Sequence, residues 1–416
     1  MTPVPAGVEK NTKGAAGKNK SFCVPGFVAA TTSAEIKKGS VRPDLGLIVS
    51  QVPATASAVF TRNLVKAIPV QIDLRRIVSK EGRAILVNSG NANACTGRAG
   101  LRETQKLSLQ VSQALSIPDS QLFLASTGVI GKRLPISRMS KAVPGLIKKL
   151  SPQGLSDVAE AIMTTDTFPK LIFKKILIGE NKVHMVGLAK GAGMIHPDMA
   201  TMLCFVLTDL AVSPALLDQL LKRSIDQSFN RITVDGDTST NDSVLVLANG
   251  LAGNPILTEP GSEEAQTFGR ALGGLLLKLA KMIVRDGEGA TKEVTLRIEG
   301  ARNEQEARTL AMTVATSPLV KTALFGQDAN WGRILAALGR SGVSFDPEEV
   351  DLFFDGLMVV KNGISQGDKV ETLAGEVLKK AALTIRVDMH QGKAKTIVYT
   401  CDLSLDYVRI NADYRT

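Results

Sequence analysis

Residues 190–203 read Lys-Gly-Ala-Gly-Met-Ile-His-Pro-Asp-Met-Ala-Thr-Met-Leu, and strand-like sequence runs on from Met202 to Leu210. A glycine-rich run that opens onto a threonine at the head of a buried strand is the layout of a chain that cuts itself before that threonine. Cleavage between Ala200 and Thr201 frees an α-amine beside the hydroxyl of the same residue, which puts nucleophile and base together. A hydroxyl is a poor nucleophile at neutral pH, whereas an α-amine, with a pKa of roughly 7.7–8.0, can take its proton. Read locally, the same pattern is a loop before a strand, so the rest of the chain has to decide.

The chain has 416 residues, enough for two or three domains. Aromatic residues make up only 4%, with one tryptophan, which removes the stacking platforms of a single-stranded nucleic-acid binder. The net charge of +10 includes Lys10, Lys13, Lys18 and Lys20 against Glu9. Such a head reads as solvated, and a cationic body attracts anionic substrates. Cys23, Cys95, Cys204 and Cys401 are widely spaced, and His184, His196 and His390 are scattered. This points to reduced thiols in a cytoplasmic setting and to no metal site. No run of about 18 apolar residues suggests a membrane span. The first 20 residues lack the apolar core of a secretory signal.

Residues 1–21 read as a disordered basic head. Strands are expected at 45–49, 84–87, 203–208, 243–248, 294–298, 383–387 and 396–401. Helices alternate with them: 102–116 with Leu107, Val111 and Leu115 on one face, 214–229 capped by Ser213, and 263–284. Asp328 is the expected cap of a further helix through Trp331 and Ile334. The result is a mixed α/β chain with helices outside and sheet inside.

Several familiar motifs fail. Gly131-Lys132 lacks the phosphate-loop partners, since Ser126 and Arg133 stand where glycine and Ser/Thr are required. Gly191 and Gly193 lack the third glycine of a dinucleotide fingerprint, because His196 occupies its place. Asp235-Gly-Asp237-Thr-Ser239 starts like a calcium loop, then breaks at Thr240 and Val246. One constellation survives. Attack by Thr201 on a carbonyl makes an oxyanion that needs preorganised donors. In Ser126-Thr127-Gly128, which follows an apolar run, Thr127 offers a hydroxyl and Gly128 an unobstructed N–H.

Seven polar, non-periodic blocks complete the picture: 87–97 (VNSGNANACTG), 126–131 (STGVIG), 190–203, 233–242 (TVDGDTSTND), 285–292 (RDGEGATK), 326–333 (GQDANWGR) and 411–416 (NADYRT). In this order, over roughly residues 24–416, they resemble the ornithine acetyltransferase (glutamate N-acetyltransferase) family of arginine biosynthesis.

The resemblance implies an αββα sandwich similar to N-terminal-nucleophile hydrolases, with different connectivity, and a precursor that cleaves itself into chains 22–200 and 201–416. It implies acetyl transfer from N2-acetylornithine to L-glutamate by a ping-pong route through acetyl-Thr201. Thr127 and Gly128 take the oxyanion role, and Thr164, Lys190, Thr201, Glu288, Asn411 and Thr416 fall on substrate-binding positions. Lys190 suits a substrate carboxylate and Glu288 the distal ammonium of ornithine. Thr165 and Thr167 stand beside Thr164, so a slip among them stays open. No cofactor is expected, and whether acetyl-CoA also serves as donor stays open. The partners implied are small-molecule substrates, with neither nucleic acid nor membrane, and the assembly a heterotetramer of two processed pairs. The alternative is a self-processing aminopeptidase or amidase with the same N-terminal nucleophile.

Overall fold

The structure is a computed structural model that describes residues 22–37, 39, 42–196 and 202–413. The expected basic head, the Ala200–Thr201 bond and Thr416 lie outside the described residues.

The first sheet is built from β1 (Phe27–Thr32), β2 (Leu45–Phe60), β3 (Glu81–Asn88), β4 (Leu122–Ser126), β5 (Lys170–Ile178), β6 (Asn181–Lys190), β7 (Leu203–Thr208) and β8 (Ser243–Ala248). Its order is β4-β3-β2-β8-β7-β6-β5, with β1 also paired to β2. Its helices are α1 (Ile68–Arg76), α2 (Gly97–Leu115), α3 (Ile136–Lys148), α4 (Leu155–Ala161), α5 (Pro214–Asp226) and α6 (Glu263–Arg285). Strand β2 joins two halves of the sheet. Residues 45–49 pair with β3 and 55–60 with β8, and the β2–β3 register shifts between Val49 and Ala54, around Pro53. Proline has no N–H for a ladder, so a break there is physically apt.

The two halves face each other, and strand alternation shows it. Ile48, Ile85, Val87 and Phe123 share one core with Val186, Phe205, Leu207 and Leu245. The intervening residues Leu47, Leu86 and Leu124 pack outward against α2 and α3. On the other side Met185, Cys204, Val206 and Val246 pack against α5 and α6. Helix, sheet, sheet and helix layers follow in turn, the expected αββα sandwich. Fully burying one of these aliphatic or phenyl side chains contributes about 1.5–3 kcal/mol.

A second sheet, in the order β12-β11-β10-β13-β9-β14, follows Glu288. It comprises β9 (Glu293–Ala301), β10 (Asp351–Phe354), β11 (Leu357–Lys361), β12 (Ile364–Ser365), β13 (Ala382–Asp388) and β14 (Ala394–Cys401). Helices α7 (Glu304–Ala315), α8 (Pro318–Phe325), α9 (Trp331–Gly339) and α10 (Asp368–Leu378) accompany it, and α11 (Leu405–Ala412) ends the described chain. This sheet has its own core, with Leu296, Ile385 and Val398 against Leu310, Val314 and Leu338. The change of core therefore falls near Glu293, whereas the Ala200–Thr201 bond falls between β6 and β7 of the first sheet.

The helix capped by Ser213 forms, its hydroxyl accepting the Leu216 N–H, but it ends at Asp226 rather than Phe229. Helix α2 starts at Gly97, ahead of the expected 102, and stops where Ser116 turns left-handed. Asp328 does not cap α9: Asn330 does, its side chain accepting the Arg333 N–H. Strands β1, β4, β5, β6, β10, β11 and β12 are not among the expected ones. No helix among the described residues is long and apolar enough to cross a membrane.

Candidate functional site

The parallel strands β3 and β4 end together, with Asn88 opposite Ser126. The Thr127 N–H donates to the Asn88 carbonyl at 3.0 Å, and the chain then turns at Gly128 with φ +131°. A Cβ there would meet the Gly90 carbonyl carbon at 2.3 Å, so only glycine fits. Asparagines lock the turn. Asn241 Nδ2 donates to the Ser126 carbonyl at 2.8 Å and the Ala92 carbonyl at 2.6 Å. Asn91 Nδ2 holds the Lys132 carbonyl at 3.0 Å. The Gly128 N–H has no acceptor among the described residues.

Lys190 ends β6 almost completely buried. Its ammonium donates to the Thr164 hydroxyl at 2.8 Å and the Thr127 hydroxyl at 3.2 Å, and lies 3.8 Å from Asp166 Oδ2. Burial pushes the Lys190 pKa down, and Asp166 pulls it part of the way back. Asp166 also accepts the N–H groups of Gly191 at 2.8 Å and Thr164 at 3.0 Å. Behind it the fully buried Lys170 bridges Asp166 at 2.7 Å and Asp286 at 2.5 Å. Burial works to raise the Asp166 pKa, but Lys190 and Lys170 overcome it and hold the carboxyl well below the usual range. Thr167 is spent elsewhere, since its N–H and hydroxyl bind Asp286. That leaves Thr164, with Thr165 also on the pocket wall, as the hydroxyl beside Lys190.

Glu288 lies in the turn after α6. Its N–H donates to the Ala192 carbonyl at 2.8 Å, and its Oε2 accepts from Asn411 Nδ2 at 2.8 Å. Asn411 belongs to the helix α11 rather than to an irregular tail. Thr127, Gly128, Thr164, Lys190, Glu288 and Asn411 line one pocket. A buried cation and a buried acid on the same pocket suit a zwitterionic ligand.

The loop 233–242 borders the same pocket through Ser239, Thr240 and Asn241. Asp235 accepts the N–H groups of Met194 at 2.5 Å and Ile195 at 2.9 Å. Asp242 accepts the Met202 N–H at 2.8 Å, and the Ser243 N–H donates to the Met202 carbonyl at 3.1 Å. Two acids of one loop thus hold the described residues on either side of 197–201. Among the described residues no group of His, Cys, Asp or Glu could hold a metal ion. Asp235, which opens the calcium-like stretch, serves instead as an acceptor for backbone N–H groups, that of Asp237 among them. Sequence reasoning does not single out Asp166, Asp235, Asn241 and Asp242. The density of Asp and Asn in 233–242 is the available signal, because buried acids need donors.

A family model described as the ArgJ family matches residues 28–416. The arginine biosynthesis bifunctional protein ArgJ of Geobacter sulfurreducens is 50% identical over 393 residues, covering 94% of this chain and 100% of the relative. A crystal structure of the protein of that name from Bacillus halodurans is 44% identical, covers 49% of this chain and 95% of its own, and has a TM-score of 0.47. The ornithine acetyltransferase of Mycobacterium tuberculosis, solved with ornithine, is 34% identical, covers 42% of this chain and 94% of its own, and has a TM-score of 0.37.

Proposed function

The chain belongs to the ArgJ family, and from that premise we propose that it is a self-processing acetyltransferase of arginine biosynthesis. It moves acetyl from N2-acetylornithine to L-glutamate through an ester on Thr201. The observation that carries this reading is the pocket. Residues from the β4 turn, the segment after α4, the end of β6, the turn after α6 and the helix α11 converge there.

Processing begins when the Thr201 oxygen attacks the Ala200 carbonyl carbon. The C–N bond breaks, the nitrogen leaves as an amine with the hydroxyl proton, and water then hydrolyses the ester. The products are an Ala200 carboxylate and a Thr201 with free amine and hydroxyl. The two chains, 22–200 and 201–416, stay joined because β6 and β7 remain paired, Lys190 opposite Leu203 to Met185 opposite Thr208. The assembly is two such pairs.

In turnover the Thr201 oxygen bonds the acetyl carbon and the amine takes the hydroxyl proton. The proton returns to the departing ornithine nitrogen as the C–N bond breaks. The neutral amine of glutamate then attacks the ester and restores the hydroxyl. Thr127 and Gly128 meet the oxyanion in both halves. Lys190 pairs a substrate carboxylate, and Glu288, Asn411, Thr164 and Thr416 hold the amino-acid groups. Every role is filled by a side chain or backbone group, so no cofactor is assigned. The name bifunctional carried by the relatives supports a second reaction, acetylation of glutamate from acetyl-CoA as co-substrate. Four cysteines, none of them in a disulfide among the described residues, support the reducing environment of the cytoplasm.

Intact-mass analysis tests this reading. The purified protein should give a fragment beginning at Thr201, and N2-acetylornithine alone should add one acetyl group to it. Glutamate should remove the label as acetylglutamate. An unlabelled fragment with sequential kinetics overturns the ester mechanism. Loss of the label to water without a glutamate requirement favours the amidase alternative.

A further inference from the structure

Met194 stands on the pocket wall with 39% of its surface exposed, although methionine is ordinarily a core residue. Its φ is +59°, in the left-handed region that side chains larger than glycine or asparagine rarely enter. Such a conformation persists where the surroundings hold it. Asp235 accepts the Met194 N–H at 2.5 Å through Oδ2 and the Ile195 N–H at 2.9 Å through Oδ1. The Val234 N–H and the Thr233 hydroxyl both donate to the Ile195 carbonyl, at 2.9 and 3.0 Å. Ile195 itself turns into the core beside α5 and α6. Glycine would take this turn without strain. The fold instead keeps a thioether there and points it away from the core, which packing does not explain.

We propose that Met194 is a specificity-determining residue, its side chain seating the methylenes of the amino-acid substrates next to the group that takes their far end. The inference rests on acetylornithine and glutamate being the substrates. Gly193, the preceding residue, is the one against which the Glu288 carboxylate lies. Met194 is therefore the apolar side chain beside the acid. The other large apolar residues of the wall, Val129 and Ile130, follow Gly128 and so stand at the oxyanion end. A ligand charged at both ends satisfies Lys190 and Glu288, but its methylenes gain only from an apolar surface between polar groups.

The residue type suits the task. Ornithine carries three side-chain methylenes and glutamate two, and a ping-pong route seats both in one pocket in turn. An unbranched thioether with three rotatable bonds can follow either chain. A β-branched side chain, stiff at χ1, cannot.

The first test is read on the wild-type protein. Dilute hydrogen peroxide converts exposed methionine to the sulfoxide, and peptide mass gives the rate at each position. Saturating ornithine should slow oxidation of Met194 several-fold and leave that of Met358, on β11 of the second sheet, unchanged. The second test is kinetic. Met194→Gln keeps the length of the side chain and replaces the thioether with an amide. Its kcat/KM for N2-acetylornithine should fall roughly 10-fold, mainly through KM. Its preference over the analogue one methylene shorter should shrink by a similar factor, and Met194→Leu should lose less. A Met194 that ornithine does not protect overturns the proposal. So does a Gln variant with wild-type KM and wild-type chain-length preference. Protection decides the matter if the Gln variant stays uncut. Failure of the underlying reading looks different: the wild-type protein then transfers no acetyl group from N2-acetylornithine.

Discussion

A Cβ on Gly193 would stand 2.3 Å from the Glu288 carboxylate. The second glycine of the Gly-Ala-Gly run therefore makes room for an acid, in addition to any freedom it lends the loop. Glu288 fills that space with 8% of its surface exposed and takes the Asn411 amide. Gly193→Ala should push the carboxylate out of the pocket without unfolding the protein. A hydrogen bond to a charged group is worth roughly 1.5–3 kcal/mol, so kcat/KM for acetylornithine should fall about 10–100-fold. Thermal unfolding should change little, and wild-type kinetics in the Gly193→Ala protein would dissociate Glu288 from substrate binding.

Thr127→Ala removes a hydroxyl that Lys190 holds at 3.2 Å. Acetyl transfer should slow by roughly 10²–10³-fold, the usual effect of losing one oxyanion donor. Single-turnover acetylation of the 201–416 fragment measures it directly, and an unchanged rate removes Thr127 from that role.

Lys170→Met should be among the most damaging changes outside the pocket. It leaves Asp166 and Asp286 buried without their shared cation. Breaking a buried pair in this way typically costs about 3–5 kcal/mol, readable from urea unfolding of the processed protein. A loss under about 1 kcal/mol would mean that water or rearrangement rescues both acids.

Asp166 also sets a pH dependence. Its carboxyl is held below its ordinary range, so its contribution to stability is fully present above pH ~4 and is lost as pH falls through the folded pKa. The stability gap between wild type and Asp166→Asn should therefore be widest near neutrality and shrink between about pH 4 and pH 2. A gap that is flat over that window would show that the ionised form is not what stabilises the fold.

Ending the chain at Ile410 removes Asn411 and Thr416 together. No residue of α11 is fully buried, so folding and cleavage should survive. Cleavage draws on Thr201, Thr127 and Gly128 and on no external substrate. Acetyl transfer should fall by orders of magnitude, because two hydrogen bonds to charged substrate groups are lost. Wild-type activity in the shortened protein would make the tail a terminus only.

Periodicity placed the strands β7, β8, β9, β13 and β14 and the helices α5 and α6, because each is one-sided or uniformly apolar, and α5 also carries its own cap signal, Ser213. Local sequence singled out Thr127 and Gly128, a hydroxyl and an unobstructed N–H after an apolar run, whereas Thr164, Lys190, Glu288 and Asn411 were implied by the family resemblance. Sequence could not show that β2 passes from one layer to the other, because a strand's partner is decided by long-range pairing and not by its own pattern. Nor could it assign Asp166, Asp235 and Asp242. An acid in a polar loop looks the same whether it faces water or is buried against backbone N–H groups, and only the folded chain brings Met194, Met202 and Lys190 to the acids that hold them. The chemistry of the site is therefore written in residue types, while its alignment is a property of the tertiary structure, because hydrogen bonds between groups many residues apart exist only after the layers have closed.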